Sequence, residues 1–235
     1  MVTHEADRFR LDRVAFYGRT LDEYARIFDL DVSALKDVII LDCPSGASSF
    51  VAEATQLGLR AAACDPMFGE DIGALSARGA ADIEHVMQRL APVAHLYKWD
   101  FYANVEQLRA HRTRALKLFA EDYPKGAVEG RSVTGALPHL PFADRSFDLV
   151  LSGHFLFTYC DMFDFAFHNA SVRELFRVCA KEVRIYPIQG PDSKPYPHLA
   201  ELLDGLQRDG IPVRIDPVPF EFQRGSNQML RVLRK

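Results

Sequence analysis

The chain has 235 residues, of which 48% are hydrophobic and 26% are charged, an ordinary balance for a globular protein with one full-sized core. Its formal net charge of −4 gives no support for binding to nucleic acid or to an anionic membrane surface. No uninterrupted run of about 18 apolar residues occurs. The N-terminal segment is charged, so the sequence predicts neither a membrane-spanning helix nor a signal peptide.

The four cysteines are scattered along the chain, and no two of them have a spacing typical of a metal site. They are Cys43, Cys64, Cys160 and Cys179. This usage predicts reduced thiols in a cytoplasmic protein rather than a disulfide framework. His154, Asp161 and His168 are residue types that bind metals, but no pattern in the sequence places their side chains on a common face of the fold. We therefore predict no metal site.

The first 36 residues are predicted to form a helical lid in front of the first strand. Polar-faced helical patterning runs over 5–36 and breaks near Gly18. Thr20 and Glu23 have the spacing of a capping box, which predicts that a second helix starts at this point.

The segment 38–66 has the pattern of a strand, a turn, a helix and a second strand. Its first apolar run ends at Asp42 and its second ends at Asp65, with a helix predicted over 48–57 between them. In an open parallel sheet, ligands bind beyond the carboxyl ends of the strands. Asp65 also follows Gly46 at about the 20-residue spacing with which a nucleotide-site acid meets ribose hydroxyls. The segment therefore predicts a ligand site with an acid at each strand end.

Residues 67–130 are predicted to form a helical insertion between the second and third strands. Its helical pieces are expected over 72–90, 92–97 and 105–122. Because an ordinary crossover needs only one helix, we expect this insertion to shape the substrate site. The basic residues in its last piece are predicted to lie on a solvated helix face; they are Arg109, Arg112 and Arg114.

The remainder of the chain alternates between strands and helices and ends in a predicted hairpin. Strands are expected over 131–134, 147–152 and 182–188. Helices are expected over 161–179 and 196–208. The last two runs, 211–222 and 229–233, are joined by a polar turn and predict an antiparallel pair, with Phe220 and Phe222 on one face.

Three motifs at these positions resemble those of the class I S-adenosylmethionine-dependent methyltransferases. They are LDCPSGASSF at 41–50, ACDP at 63–66 and LPFADRSFDLVLS at 140–152. The resemblance covers roughly 35–235 and is greatest to a small, poorly characterised bacterial group. It implies an α/β fold with a Rossmann-like, doubly wound sheet of seven strands, mostly parallel with an antiparallel C-terminal hairpin. It also implies a single methyltransferase-like domain over 1–235.

The resemblance implies a site for S-adenosylmethionine at the loop after the first strand. In the family this loop carries an acid and alternating glycines; here Asp42 is present, and the glycine positions hold Pro44, Gly46 and Ser48. Proline has no backbone N–H, and a dinucleotide pyrophosphate needs several such donors, so NAD and FAD are disfavoured. S-adenosylmethionine carries no phosphate, and Asp42 is expected to bind its ammonium group. A stiff turn that holds no ligand is the alternative.

The other cofactor contacts are also implied by the resemblance. Asp65 is expected to accept both ribose hydroxyls, for which an ionised carboxylate is suited, and a helix N-cap is its alternative role. Ala136 stands where many relatives carry an acid that binds the adenine amino group, so backbone groups would replace that acid. Tyr17, Arg19 and Tyr24 are candidates for binding the methionine carboxylate or an acidic substrate; solvation on a helix surface is the alternative. The full predicted set is Tyr17, Arg19, Asp42, Cys43, Pro44, Ser45, Gly46, Asp65, Pro66, Ala136, Leu137 and Ser152.

The segment after the fourth strand corresponds, by the same resemblance, to the methyl-transfer position. His154 is a candidate general base there, since an unperturbed imidazole titrates at about pH 6.5. Tyr159 is a second candidate for removing the proton. A hydrogen-bonded histidine that orients the strand end is the alternative for His154.

Together these features predict S-adenosylmethionine-dependent methyl transfer to a small molecule, with neither nucleic acid nor a membrane as partner. One alternative is an enzyme of the same fold that has lost the cofactor and performs another substitution or a ring closure in natural-product biosynthesis. Another is a non-catalytic partner subunit. The sequence leaves open whether the chain has a protein partner or forms a homo-oligomer.

Overall fold

The computed structural model describes residue 9 and residues 11–234 as alternating helices and strands. The helices are α1 (Leu21–Ile27), α2 (Phe50–Gln56), α3 (Ile72–Leu90), α4 (Val105–Val128), α5 (Phe165–Val178) and α6 (Leu199–Arg208). The strands are β1 (Ile39–Asp42), β2 (Arg60–Asp65), β3 (Ser132–Thr134), β4 (Phe147–Gly153), β5 (Cys179–Tyr186), β6 (Val213–Pro217) and β7 (Gln228–Leu233). Short 3-10 helices cover Val32–Leu35 and Ala91–Leu96.

The strands form a seven-stranded sheet in the order β3-β2-β1-β4-β5-β7-β6. The pairs from β3 to β5 are parallel, whereas β7 runs antiparallel to both β5 and β6. This arrangement confirms the predicted Rossmann-like sheet, mostly parallel with an antiparallel C-terminal hairpin. The strand order reverses between β1 and β4, and in such sheets the ligand crevice lies at that reversal.

Apolar side chains cover both faces of the sheet. Ile40 and Leu41 are fully buried neighbours on β1, yet they belong to different clusters, because successive side chains on a strand point to opposite faces. Helices α1 to α4 pack on the Ile40 side, and α5 and α6 pack on the Leu41 side. Two helical layers therefore bury the sheet, which explains why its central strands are continuously apolar in sequence.

Residues 11–20, called here the N-terminal strap, contain no helix, so the first predicted helical piece is wrong within the described residues. The backbone of the strap bonds to other elements instead of to itself. The N–H of Phe16 donates to Asp82 of α3 at 2.8 Å, and the N–H of Ala15 donates to the Tyr159 hydroxyl at 3.1 Å. The rest of the first predicted piece, 5–8 and 10, lies outside the described part of the chain.

Capping side chains fix where two of the helices begin. Helix α1 begins after Thr20, whose N–H donates to the Glu23 carboxylate at 2.9 Å, which confirms the predicted capping box. Helix α5 begins after Asp164, later than the predicted start at Asp161. The Asp164 carboxylate accepts from the Phe167 N–H at 2.8 Å and so sets this boundary.

The helical character predicted for 67–130 is confirmed over α3, α4 and the 3-10 helix between them. Helices α3 and α4 approach closely at Gly79, where an added Cβ would meet the side chain of Leu116 at 2.6 Å. Among the described residues, no helix has both the length and the apolar character needed to cross a membrane.

The C-terminal hairpin is shorter than predicted, because β6 ends at Pro217. Pro217 and Pro219 lack N–H donors and cannot extend the strand pairing. Residues 218–227 therefore leave the sheet, and the carbonyl of Phe222 accepts from the Lys98 N–H at 2.7 Å. Phe220 and Phe222 pack around Tyr102 rather than on one face of a strand, which corrects that prediction.

Candidate active site

A cavity of about 380 Å³ lies at the carboxyl ends of β1, β2 and β4. The strap forms one of its walls, α3 and α4 contribute to a second, and the segment 153–167 forms a third. The volume falls within the range of ~300–1,000 Å³ that is usual for small-molecule sites. Its position is the one expected for a ligand in an open α/β sheet.

Most of the predicted site residues line this cavity. They are Tyr17, Arg19, Pro44, Ser45, Gly46, Asp65, Pro66, Ala136, Leu137, His154 and Tyr159. Three predicted cofactor contacts, Asp42, Cys43 and Ser152, do not line it. The cavity thus joins residues from the strap, from the loop after β1, from the end of β2 and from the segments after β3 and β4.

The loop after β1 directs its backbone donors into the protein. The N–H of Gly46 donates to the Asp65 carboxylate at 2.8 Å, and the N–H of Ser49 donates to the carbonyl of Arg19 at 3.0 Å. Gly46 has a φ of +54°, and a Cβ added there would lie 2.8 Å from the carbonyl oxygen of Tyr17. Only glycine fits this position, because the strap runs directly over the loop. The loop offers few free N–H groups, consistent with the predicted exclusion of a pyrophosphate.

Asp65 ends β2 at the cavity wall, with 5% of its surface exposed. Its carboxylate accepts from the Gly46 N–H at 2.8 Å and from the Met67 N–H at 3.0 Å. Burial raises its pKa to about 6, and the two backbone donors oppose this rise. Asp65 is therefore ionised at neutral pH and retains acceptor lone pairs toward the cavity. The N-cap alternative does not hold, because α3 is capped by Asp71.

Asp42 does not line the cavity, so its side chain is not positioned for the predicted direct contact with the cofactor. Both of its carboxylate oxygens accept from the Tyr24 hydroxyl at 2.9 Å, and the residue is fully buried. Burial raises the pKa of Asp42 well above its usual range, and the nearby Asp65 charge adds to this effect. Tyr24 itself lines the cavity, so it stands where the sequence pattern placed Asp42.

Cys43 and Ser152 are likewise turned away from the cavity, which corrects their prediction as contacts. Cys43 is 1% exposed and packs into the apolar cluster on the Leu41 face of the sheet. A hydrogen bond with the Cys64 thiol, together with burial, raises the pKa of Cys43 well above its usual value. Ser152 lies within β4 and is 1% exposed. Both residues therefore belong to the packed sheet.

Ala136 and Leu137 line the cavity beside Asp65. The Gly135 N–H donates to the Asp65 carbonyl at 3.3 Å, which ties this segment to the end of β2. The carbonyl of Ala136 accepts from the His139 N–H at 2.9 Å. Backbone groups and the Leu137 side chain are thus what this segment presents to a ligand, since Ala136 has no polar side chain.

Arg19 is a cavity cation that has no acid partner in the part of the chain that the structure describes. Among residues 11–234, no carboxylate lies within ion-pair distance of its guanidinium. Its guanidinium carbon lies 5.6 Å from the centre of the Tyr17 ring, and Tyr17 also lines the cavity. A ligand carboxylate would complete this arrangement, because arginine presents a planar fork of donors.

Arg112 also lines the cavity, which corrects its prediction as part of a solvated helix face. It is 1% exposed and pairs with the buried Glu23 carboxylate of α1. Its second terminal nitrogen donates to the Tyr102 hydroxyl at 2.7 Å, and that hydroxyl donates to Glu23. Burial alone would lower the pKa of Arg112, but the Glu23 charge, its hydrogen bond and the nearby Tyr102 and Tyr17 together outweigh this effect and raise the pKa. The three side chains join α1, α4 and the 97–104 segment beside the cavity.

His154 follows β4 directly and lines the cavity. Its backbone has a φ of +53°, a conformation that side-chain-bearing residues seldom adopt and that recurs at functional sites. Burial lowers the pKa of its imidazole well below the usual value, and the charges of Arg19 and Arg112 lower it further. The imidazole is therefore neutral at physiological pH. Its Nδ1 atom is buried and has no hydrogen-bond partner among the described residues.

Tyr159 connects the third wall of the cavity to the strap. Its hydroxyl accepts from the Ala15 N–H at 3.1 Å. Burial raises the pKa of Tyr159, so its hydroxyl stays protonated and is a poor base. Its observed contact holds the strap over the cavity, and of the two predicted catalytic candidates His154 has the more suitable chemistry.

No group of three or more metal-ligating side chains occurs within residues 11–234. The imidazole nitrogens of His168 instead lie within hydrogen-bond distance of the carbonyls of Asp164 and Leu156, at 2.7 and 2.9 Å.

Comparison with known proteins finds a family model that matches about half of the chain. Residues 71–186 match the family model described as a methyltransferase domain. An uncharacterized protein of Methanocaldococcus jannaschii is 28% identical over 92% of this chain and 95% of its own length. The family match begins after Asp65, so the loop after β1 is interpreted from its own residues.

Two solved structures show a similar arrangement at low sequence identity. Magnesium protoporphyrin IX methyltransferase from Synechocystis PCC 6803, with bound S-adenosylmethionine, is 11% identical, with a TM-score of 0.47 over 92% of this chain and 78% of that one. A TehB-like S-adenosylmethionine-dependent methyltransferase from Corynebacterium glutamicum is 15% identical, with a TM-score of 0.48 over 87% and 84% of the two chains. Both scores are below 0.5, so these two structures carry no argument about the function of this chain.

Proposed function

We propose that this chain is a class I S-adenosylmethionine-dependent methyltransferase that transfers a methyl group to a small-molecule acceptor; the methyltransferase-domain match over residues 71–186 supports the proposal. The observation that carries the proposal is the continuity of the cavity. It runs from Asp65 at the end of β2 to His154 at the end of β4, beneath a strap that is tied down at several points. A cofactor and a small acceptor would meet inside one cavity.

The residues at the Asp65 end have the chemistry that S-adenosylmethionine requires. The Asp65 carboxylate accepts hydrogen bonds, which suits the two ribose hydroxyls. Arg19 offers the methionine carboxylate a cation that has no acid partner among the described residues, and the backbone at Ala136 and Leu137 is available to the adenine edge. When bound, S-adenosylmethionine supplies an electrophilic methyl group on a sulfonium sulfur. The residues present therefore fit this cofactor, although Asp42 does not take part directly.

Alignment is the main task left to the protein, because the methyl group is already activated. We assign His154 the acceptor side of the cavity, where its neutral imidazole orients the reacting atom by hydrogen bonding. The strap excludes water, and the Tyr159 hydroxyl holds the strap in place through Ala15. The insertion contributes Arg78, Val86, Leu90 and Arg112 to the wall and so takes part in acceptor selection.

Isothermal titration with S-adenosylmethionine and with S-adenosylhomocysteine tests the proposal. We expect both to bind to the wild-type protein and to bind more weakly to Asp65→Asn. Asp204→Asn is the matched control, because Asp204 is an exposed acid on α6 away from the cavity. Absence of heat with either ligand at millimolar concentration would overturn the proposal.

The place of action is part of the same proposal. Four free cysteines, of which Cys43, Cys64 and Cys179 are buried, suit the reducing cytoplasm. Purification of the native protein from a cytoplasmic fraction would support this assignment, and recovery from an extracytoplasmic fraction would contradict it.

A further inference from the structure

The part of the cavity beyond His154 has an aromatic wall. Phe163 and Phe167 stack with ring centres 4.3 Å apart, and Phe155 lies 5.5 Å from Phe163. All three line the cavity and are only partly buried. On the strap side Phe9 and Leu11 face the same space. Aromatic side chains prefer offset-stacked or edge-to-face contacts with other rings, so this wall favours a flat aromatic ligand.

The charges that line the cavity are predominantly positive. The lining cations are Arg19, Arg78 and Arg112, and Asp65 is the lining acid among the described residues. Arg78 and Arg112 have buried acid partners in Asp82 and Glu23, whereas Arg19 has none in this part of the chain. S-adenosylmethionine adds a further net positive charge of its own. A cationic amine would meet repulsion here, whereas an anion would be attracted.

Two polar atoms on cavity-lining residues have no partner among the described residues. They are Nδ1 of His154 and Oγ1 of Thr158, both buried and both on cavity-lining residues. A buried polar atom without a partner is uncommon in a folded protein, and a water or a ligand oxygen can complete it. Either atom could therefore receive a ligand oxygen bound in the cavity.

From these observations we infer that the acceptor is a small aromatic oxyanion, a carboxylate or a phenolate on an aromatic ring. This inference rests on the proposed function and specifies its substrate class. The ring packs against Phe155, Phe163 and Phe167, and the oxygen faces His154 and Thr158. The cavity of about 380 Å³ must hold the cofactor as well, so the acceptor is small. In the reaction an oxygen–carbon bond forms, the sulfur–carbon bond breaks with its electron pair going to sulfur, and no proton transfer is needed.

Binding tests this inference without depending on turnover. The protein with saturating S-adenosylhomocysteine is titrated at pH 8 with benzoate, 4-nitrophenolate, benzylamine and cyclohexanecarboxylate. We expect at least one aromatic anion to bind roughly tenfold or more tightly than benzylamine, which is cationic, and than cyclohexanecarboxylate, which is not aromatic. The benzoate and 4-nitrophenolate arms distinguish the carboxylate from the phenolate. The absorbance shift of 4-nitrophenolate gives a second readout.

A matched pair of variants locates the ligand. Phe163→Ala removes a cavity ring, whereas Phe165→Ala removes a partly buried ring that faces His198 and does not line the cavity. We expect Phe163→Ala to weaken binding of the aromatic anion by about tenfold while S-adenosylhomocysteine still binds. Phe165→Ala should change neither affinity. Thermal unfolding of both variants shows whether a loss of affinity reflects a loss of folded protein.

The outcomes separate the inference from the function on which it rests. If S-adenosylhomocysteine binds but benzylamine or cyclohexanecarboxylate binds as tightly as the aromatic anions, the inferred acceptor class is wrong and the proposed function stands. The same holds if no aromatic anion binds, or if the two phenylalanine variants lose affinity equally. If S-adenosylhomocysteine itself fails to bind, the proposed function is wrong.

Discussion

The buried pair of Glu23 and Arg112 gives a sharp test of how the site is built. Glu23→Gln keeps the size and shape of the side chain and removes its charge. In the wild type this carboxylate accepts from the Thr20 N–H, from the Tyr102 hydroxyl and from the Arg112 guanidinium. The variant therefore leaves a guanidinium that is 1% exposed without its counter-charge.

The expected cost follows from that burial. Breaking a buried ion pair by removing one partner typically costs about 3–5 kcal/mol, because the remaining charge stays desolvated and unpaired. Burial alone would raise the pKa of Glu23, yet the Arg112 and Arg19 charges, together with the hydrogen bonds from Thr20 and Tyr102, outweigh burial and lower the pKa. Glu23 thus contributes stability above its ordinary titration range, and this stability is lost as the pH falls through its lowered pKa.

Urea unfolding of the wild type and Glu23→Gln measures the difference directly. Glu106→Gln is the control, since Glu106 forms an exposed pair with Arg109, and we expect no measurable change there. The double variant Glu23→Gln with Arg112→Met should recover much of the lost stability, because it removes both members of the pair. A loss below about 1 kcal/mol for Glu23→Gln, or no recovery in the double variant, would refute this account of the pair.

Three further predictions concern the cavity. Because burial raises the pKa of Asp65 to about 6, its carboxylate becomes protonated below that pH and can no longer accept from both ribose hydroxyls. The affinity for S-adenosylhomocysteine should therefore fall about tenfold between pH 7 and pH 5 in calorimetric titrations. An affinity that does not change with pH would contradict the role of Asp65 in binding the ribose. Gly18→Ala should weaken cofactor binding and lower the melting temperature, since the added Cβ would lie 1.8 Å from the carbonyl oxygen of Ala47. Gly205→Ala on α6 is the control and should have neither effect, because its Cβ would meet no described atom closer than 3.9 Å. Equal effects of the two variants in calorimetry would show that the strap does not depend on this contact. His154→Asn, which tolerates a positive φ, should reduce methyl transfer by roughly 10²-fold while the affinity for S-adenosylhomocysteine changes little; unimpaired transfer would remove His154 from the mechanism.

The parallel sheet could be predicted because its signals are local. Each central strand is an apolar run that ends at a turn or an acid, as at Asp42 and Asp65, and such runs specify a sheet buried on both faces. The position of Asp65 at the cavity wall follows from its place at the end of β2, so it too could be expected from sequence.

The features that could not be predicted from the sequence depend on contacts between residues far apart in the chain. The carboxylate of Asp42 is covered by Tyr24, which reaches it from a different element, and no local pattern encodes that contact. The strap is not helical because its N–H groups bond to Asp82 and Tyr159, far away in sequence. These residues lie between 66 and 144 positions from their partners, beyond the reach of any periodicity.

Arg112 is different, because a signal for its burial was present. It lies midway between Leu108 and Leu116 at a spacing of one helical turn, so it shares their buried face. The neighbouring charges of Arg109 and Arg114 suggested a solvated face instead. A lone arginine on an apolar helical stripe should therefore be interpreted as a buried partner of an acid elsewhere in the fold.

The most direct test of the central claim pairs Asp65 with the ribose of the ligand. The affinities of wild type and Asp65→Asn are measured for S-adenosylhomocysteine and for its analogue that lacks both ribose hydroxyls. Hydrogen bonds to a charged group contribute roughly 1.5–3 kcal/mol, so Asp65→Asn should lose about 10- to 100-fold in affinity for S-adenosylhomocysteine and almost nothing for the analogue. An equal loss for both ligands, or no loss for either, would contradict a cofactor site in which Asp65 binds the ribose.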